Sequence, residues 1–336
     1  MECVTSYAVL SSLSGLRRVI ASRDAGTNRS SSLAQRIRPM DNVKGIVLLL
    51  VAMVGFTIED LFIKQLSGNL PVGQILILIG LGASVVFLVA MAVQRQSPWN
   101  RTAWRLIPVL RALAEGGAAV SFATALALVD ISVVAAVFQA TPLAITMGAA
   151  LFLGEQVGWR RWSAIAVGFI GVLIIIRPGL EGFEPNALLV LISVLCVAAR
   201  DLMTRRMDVS IPSSVVSVQA YGTVVVAGGI LLLATSQPVV SPTSFEWGML
   251  LCGTIFGVIG YYGIVTATRI ADAAVITPFR YSRLVFSMIG GAIVFSERPD
   301  AMTLLGSALI IATGLYTFVR ERRLARRSAR MAAQPA

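Results

Sequence analysis

The 336-residue chain carries 28 Lys and Arg against 17 Asp and Glu, yet 56% of its residues are hydrophobic and only 13% are charged. With a mean hydropathy of +0.81 and about half the roughly 25% charge content of soluble domains, an ordinary soluble fold is excluded. The long apolar runs read as membrane spans, which makes the lipid bilayer the chain's solvent. Histidine is absent, which removes imidazole bases, proton relays and metal ligands, and neither Lys44 nor Lys64 sits in a phosphate-cradling GK[ST] context. Cys3, Cys196 and Cys252 show no ligand or disulfide spacing, so no metal and no cofactor is expected. The net charge of +11 does not point to nucleic acid, because the arginines stand at the ends of apolar runs instead of forming a basic face.

Residues 1–39 are polar and rich in Ser and Arg. They read as a disordered cytoplasmic tail, or as an over-extended start with Met40 as the initiator; the ordered features of a signal peptide are lacking. Ten spans are then predicted, at about 43–63, 73–93, 106–128, 132–153, 161–176, 187–204, 214–234, 247–268, 274–295 and 302–319. Alternate gaps and both tails hold 21 Lys and Arg, against Lys64, Arg177 and Arg298 on the other side. That bias puts both termini in the cytoplasm.

The chain contains one stretch twice. Residues 123–155 align without gaps on 265–297 at an offset of 142, pairing Asp130 with Asp272, Gly148 with Gly290 and Glu155 with Glu297. Residues 59–64 align on 200–205 at an offset of 141, pairing Asp60 with Asp201 and Lys64 with Arg205. A duplication of about 140 residues follows. The expected organisation is a tail (1–39), a first five-helix repeat (40–178), a second (179–320) and a basic cytoplasmic tail (321–336). Because five is odd, the second repeat enters the membrane from the opposite side. The fold class is therefore an all-α integral membrane protein of ten transmembrane helices in two inverted five-helix repeats, an architecture suited to alternating access with a substrate site near the midplane.

Charges inside a bilayer are costly and face a partner or a wet cavity. Arg280 and Arg283 lie one turn apart in the ninth span, with Tyr281 between them. They are candidates to hold an anionic substrate group by bidentate bonds, or they are neutralised by Glu115 or other acids. Arg111 and Glu115, spaced i,i+4, either neutralise one another or leave Glu115 to carry a coupling proton. Asp60 with Lys64, and Asp201 with Arg205, form matching i,i+4 pairs at opposite faces. With Arg200 and with Glu59, one turn from the outer end, they are gate candidates; the competing reading is interfacial anchoring. Gln139, Thr141 and Pro142 fall mid-span, where a proline frees a backbone carbonyl, as at a binding site or a packing distortion. Asp130, Asp272, Glu155 and Glu297 read as helix caps. Gly253 and Gly257, followed by Gly260 and Gly263, mark a close helix contact.

The phrases ATPLAITMGAALFLGEQVGWRRWSAIAVGFIGVLIIIRPG and GGAIVFSERPDAMTLLGSALIIATGLYTF resemble the EamA branch of the drug/metabolite transporter superfamily, over about residues 43–319. The second span, opening PVGQILILIGLGAS, departs from relatives that carry an arginine soon after that turn. The resemblance implies a carrier in the bacterial inner membrane. It would move a small organic solute (an amino acid, carboxylate or related metabolite) by proton coupling or exchange. The alternative is uptake of a vitamin or nucleoside-like cofactor of the riboflavin or S-adenosylmethionine type. A membrane-embedded transferase would want a histidine, a carboxylate cluster or a large loop, and a channel a repeated ring of like groups. The expected partners are a small-molecule substrate and lipid, and the sequence allows a homodimer.

Overall fold

In hydrocarbon every backbone N–H and C=O must be satisfied within its own segment, so apolar runs of about twenty residues fold as helices. The computed structural model describes residues 39–332 apart from 96, 98–100, 156, 181, 182, 209 and 272. The expected tail before Pro39 and the expected cap at Asp272 lie outside the described residues. The helices are α1 (Pro39–Leu66), α2 (Val72–Val93), α3 (Leu106–Leu128), α4 (Ile131–Phe138), α5 (Thr141–Phe152) and α6 (Trp159–Ile176). They continue as α7 (Leu188–Arg205), α8 (Ser213–Thr235), α9 (Ser244–Ile270), α10 (Ala273–Ile276), α11 (Ser282–Phe295) and α12 (Ala301–Ala332). No strand interrupts them among the described residues.

Nine helical stretches among the described residues are long and apolar enough to cross a membrane, α4 and α5 counting together as residues 131–152. The ninth predicted span, 274–295, is the one missing from these nine, because it is broken. It consists of α10, a 3-10 turn over Thr277–Tyr281 with Pro278 in its first positions, and α11, which is 14 residues long. Proline cannot donate the bond that an uninterrupted helix needs there. Its counterpart is also interrupted, at Gln139 and Ala140 between α4 and α5. At an offset of 142 Gln139 corresponds to Tyr281, the last residue of the 3-10 turn, so the two breaks meet at that position while the second begins earlier. Pro142 begins α5, where a missing N–H costs nothing, and Thr141 Oγ1 donates to the Phe138 carbonyl at 2.6 Å.

Other backbone details repeat with the same offset. Helix α3 ends at Val129 with φ −128° and ψ 155°, and α9 ends at Ala271 with φ −114° and ψ 157°. Gly154 and Ser296 both adopt positive φ, 68° and 56°. Beyond them the Glu155 N–H donates to Ala149 O at 3.2 Å, and the Glu297 N–H to Gly291 O at 3.1 Å. Ser296 adopts without a glycine the left-handed conformation that Gly154 takes freely.

Helices of one repeat pack mainly on those of the other: α1 on α9, α3 on α7, α2 on α8 and α6 on α12. Exchanging each helix for its counterpart returns the same set of pairs. Two crossings depend on small residues. A Cβ on Gly55 of α1 would lie 2.8 Å from the Phe256 carbonyl of α9, while Gly171 of α6 and Gly306 of α12 each face the other's backbone. The anticipated contact of Gly257, Gly260 and Gly263 is with α1, through Glu59, Phe56 and Ala52. The core is not evenly shared. Its largest cluster joins Ile63 and Leu66 of α1, Leu126 of α3, Ile131, Val134 and Val137 of α4, and Ile175 and Ile176 of α6. All of these surround the end of the bundle that holds Lys64.

Candidate functional site

Four spans carry charged residues toward the interface of the repeats, and the structure sorts them into two groups. The first lies at the Lys64 end. Helix α4 starts there with backbone N–H groups that no preceding turn can satisfy. Asp130 occupies the N-cap position but makes no side-chain capping bond. The Glu297 carboxylate from the other repeat does so instead: Oε1 accepts from Ile131 N at 2.9 Å, and Oε2 from Ser132 N at 3.2 Å and Ser132 Oγ at 2.9 Å. The expected cap role of Asp130 is thus corrected, because the second repeat brings a carboxylate onto the same helix end. Burial, with Glu297 adding to it, raises the Asp130 carboxyl above its usual range.

Lys64 completes this group. Its Nζ lies 3.4 Å from Glu297 Oε1 and donates to the carbonyls of Leu126 at 3.3 Å and Val129 at 2.5 Å. A cation at the carbonyl end of α3 and an anion at the amide end of α4 both match the helix dipoles.

One turn deeper, Asp60 Oδ2 accepts from Arg283 Nη2 at 2.7 Å. The guanidinium is boxed by Phe56, Phe122 and Phe138, with ring centroids 5.3, 5.5 and 5.4 Å away. Asp60, Arg283 and Gln139 border a cavity of about 10 Å³, room for about one water.

The second group lies toward the Arg205 end. Glu115 is held by Arg111 Nη2 at 3.0 Å and Arg200 Nη1 at 2.8 Å, and Arg200 also reaches Asp201 at 2.9 Å. Arg111 Nε donates to Thr204 Oγ1 at 3.4 Å, while its buried Nη1 has no hydrogen-bond partner. Arg205 pairs with Glu155 at 3.1 Å.

The expected i,i+4 pairs, Asp60 with Lys64 and Asp201 with Arg205, therefore do not form. Lys64 goes to the α3 carbonyls and Glu297, Asp60 to Arg283, and Arg205 to Glu155. Asp60 and Lys64 reach charges of the other repeat at buried sites, where a helix end or counter-charge attracts more strongly than the neighbour one turn away. Asp201 pairs with the adjacent Arg200, and Arg205 with Glu155 in an exposed cross-repeat contact.

Arg280 and Arg283 share a turn but not a surrounding. Arg283 is occupied by Asp60, whereas Arg280 is exposed, lies in the field of Asp201 and Arg200, and makes no ion pair among the described residues. Tyr281 sets its hydroxyl against Gly314 of α12. Glu59 rests against the backbone of Gly257. Thr141 serves the Phe138 carbonyl, and Gln139 borders the small cavity. The phenylalanine box and the cross-repeat cap by Glu297 were not anticipated; the 142-residue match of Glu297 with Glu155 was the available signal. No group of residues able to hold a metal occurs among the described residues.

The two groups are counterparts. Lys64 and Glu297 correspond to Arg205 and Glu155, yet the first pair's side chains are 16% and 5% exposed and the second's 51% and 42%. The bundle is sealed at one end and loose at the other.

Comparison with known proteins agrees with this duplicated plan. One solved crystal structure superposes over 83% of this chain and 98% of its own, with a TM-score of 0.53 and 18% identity, which is a likeness of fold. The S-adenosylmethionine uptake transporter of Rickettsia conorii is 27% identical over 279 residues, 83% of this chain and 94% of that one. The riboflavin transporter of Rhizobium johnstonii is 31% identical over 71% of this chain and 76% of its own. The pseudopaline exporter CntI of Pseudomonas aeruginosa is 25% identical over 80% and 93%. The EamA-like transporter family pattern matches twice, over residues 43–177 and again over 185–319. On that double match this multi-pass membrane chain, a transporter and not an enzyme, belongs to the EamA-like transporter family.

Proposed function

We propose that this chain is a secondary active transporter that moves a small organic metabolite across the bacterial inner membrane by alternating access. In this reading ten membrane crossings form two oppositely inserted five-helix units, residues 40–178 and 179–320, with the two broken spans as the fourth and ninth crossings, counterparts of each other whose breaks lie at the midplane. The unequal state of the matched pairs carries the reading. Lys64–Glu297 is buried and capped while Arg205–Glu155 is exposed, as expected when one gate is shut and its twin is open. The Lys and Arg bias puts the shut gate outside and both termini in the cytoplasm, so this conformation faces inward. Arg283–Asp60 forms the inner layer of the shut gate. Arg280, free and facing Asp201, is the matching contact for the opposite state and the group that meets a solute's anionic moiety.

Amino acids, carboxylates and related solutes are the first substrate class. Uptake of a vitamin or nucleoside-like cofactor is the second reading, favoured by the activities of the relatives named above. The test is counterflow into vesicles containing the purified chain. Radiolabelled amino acids, organic acids, S-adenosylmethionine and riboflavin would each be offered in turn. Saturable exchange of at least one solute is expected. Unsaturable flux would indicate a channel, and no exchange of any solute would remove the proposal.

A further inference from the structure

The membrane-interior charges on α1, α3, α7 and α11 can be paired off one by one. Asp60 is taken by Arg283, Glu115 by both Arg111 and Arg200, and Asp201 by Arg200. One acid is left over. Glu59 makes no hydrogen bond or ion pair with any described residue, although it lies within a membrane-spanning helix, seven residues and roughly 10 Å from its end. Its carboxylate lies against Gly257, where a Cβ would come within 2.5 Å of Oε1, so the missing side chain is what makes room for it. The charged and titratable groups around it are Asp60 on its own helix, Arg283 of α11, whose charge Asp60 already engages, and Tyr221 of α8. Phe87 stacks on Tyr221 at 5.5 Å and meets Tyr261 edge-on at 5.3 Å, walling this region with aromatic rings.

An ionised carboxylate without a counter-charge is costly in such a place, and more costly when a gate closes over it. The smallest remedy is a proton. We propose that Glu59 is the proton-binding carboxylate of the transport cycle, taking one proton from the aqueous phase as –COO⁻ + H⁺ → –COOH and returning it on the other side. The role that sequence spacing offered to Glu115 passes to Glu59, because both Glu115 oxygens are already held by guanidinium groups. This inference rests on the transporter reading, since a cycle is what requires the charge to be removed.

The experiment needs no solute. Infrared difference spectra of the purified chain in vesicles, between alkaline and mildly acidic pH, read the C=O stretch of a protonated carboxylic acid directly. The wild type is expected to show that band, Glu59→Gln to lose it, and Glu115→Gln to keep it. Glu59→Asp, which retains a carboxylate on a shorter stem, should keep the band at a shifted frequency, and it serves if the glutamine variant does not fold. A wild-type spectrum without the band, a band that survives Glu59→Gln, or one that Glu59→Asp leaves unmoved would overturn the assignment. The band is independent of solute movement, so failure of the vesicle exchange assay would remove the transport reading and leave the proton site standing.

Discussion

Glu297 and Glu155 are the same residue at corresponding places in the two repeats, which makes their removal a controlled comparison. Glu297→Ala strips the N-terminus of α4 of three accepting bonds from Ile131 and Ser132 and takes the buried counter-charge from Lys64. Loss of a helix cap costs about 0.5–2 kcal/mol, and removing one member of a buried ion pair costs about 3–5 kcal/mol. Lys64 keeps its bonds to the Leu126 and Val129 carbonyls, so the lower ends of both ranges apply, about 3.5 kcal/mol together. Glu155→Ala removes only an exposed pair with Arg205, worth about 0–1 kcal/mol. The assay is reversible unfolding of the two variants in detergent, followed by helix content. A difference of about 2.5–3.5 kcal/mol is expected, with Glu297→Ala the weaker protein. Equal losses would refute the claim that one end is sealed and the other loose.

The Asp60–Arg283 pair should behave as a coupled unit. Arg283→Gln alone should cost about 3–5 kcal/mol by stranding a buried carboxylate, and adding Asp60→Asn should recover most of it. A double-mutant cycle that proves additive would deny the coupling. At the α1–α9 crossing, Gly55→Ala forces a Cβ to 2.8 Å from the Phe256 carbonyl and should lower stability by about 1–3 kcal/mol. Gly253→Ala meets Phe62 at an ordinary 3.6 Å and should be neutral or gain up to about 1 kcal/mol; melting temperatures that rank the other way would contradict this packing. In the connection before α12, the hydrogen bond from Arg177 holds the Asp300 carboxyl down at about 2, against an ordinary 3.8. A lowered folded value means that this stabilisation is complete above about pH 4 and is lost as pH falls toward 2. Asp300 is 49% exposed, so screening leaves on the order of 1 kcal/mol or less. Arg177→Gln should flatten the acid dependence in that window, and an unchanged acid profile would count against the pair.

Much of the architecture was readable in the sequence. The apolar runs foretold the helices, and the matches at 141 and 142 foretold a duplication that recurs in helix ends, left-handed residues and helix pairings. Reading 274–295 as a continuous span was less successful, because an apolar window does not register what Pro278 does to the backbone between α10 and α11. The i,i+4 rule found Arg111 with Glu115 but failed for Asp60 with Lys64, since it counts neighbours on one helix and knows nothing of the next. Arg280 and Arg283 looked alike from their spacing. Only the approach of α1, bringing Asp60 and Phe56, separates a neutralised guanidinium from a free one.

The sequence by itself determined that this is a helical membrane chain with a duplicated plan. Hydrocarbon leaves the backbone few options, and a repeated order of charges and small residues records duplication without reference to space. Apart from the local pairs Arg111–Glu115 and Arg200–Asp201, which charges neutralise which was decided by tertiary structure. In a low-dielectric interior an ion pair is governed by a few ångströms of separation and by burial, and both are set by helices far apart in the chain. For the same reason Glu297 became a buried cap while Glu155 stayed at the surface, and Glu59 was left without a partner.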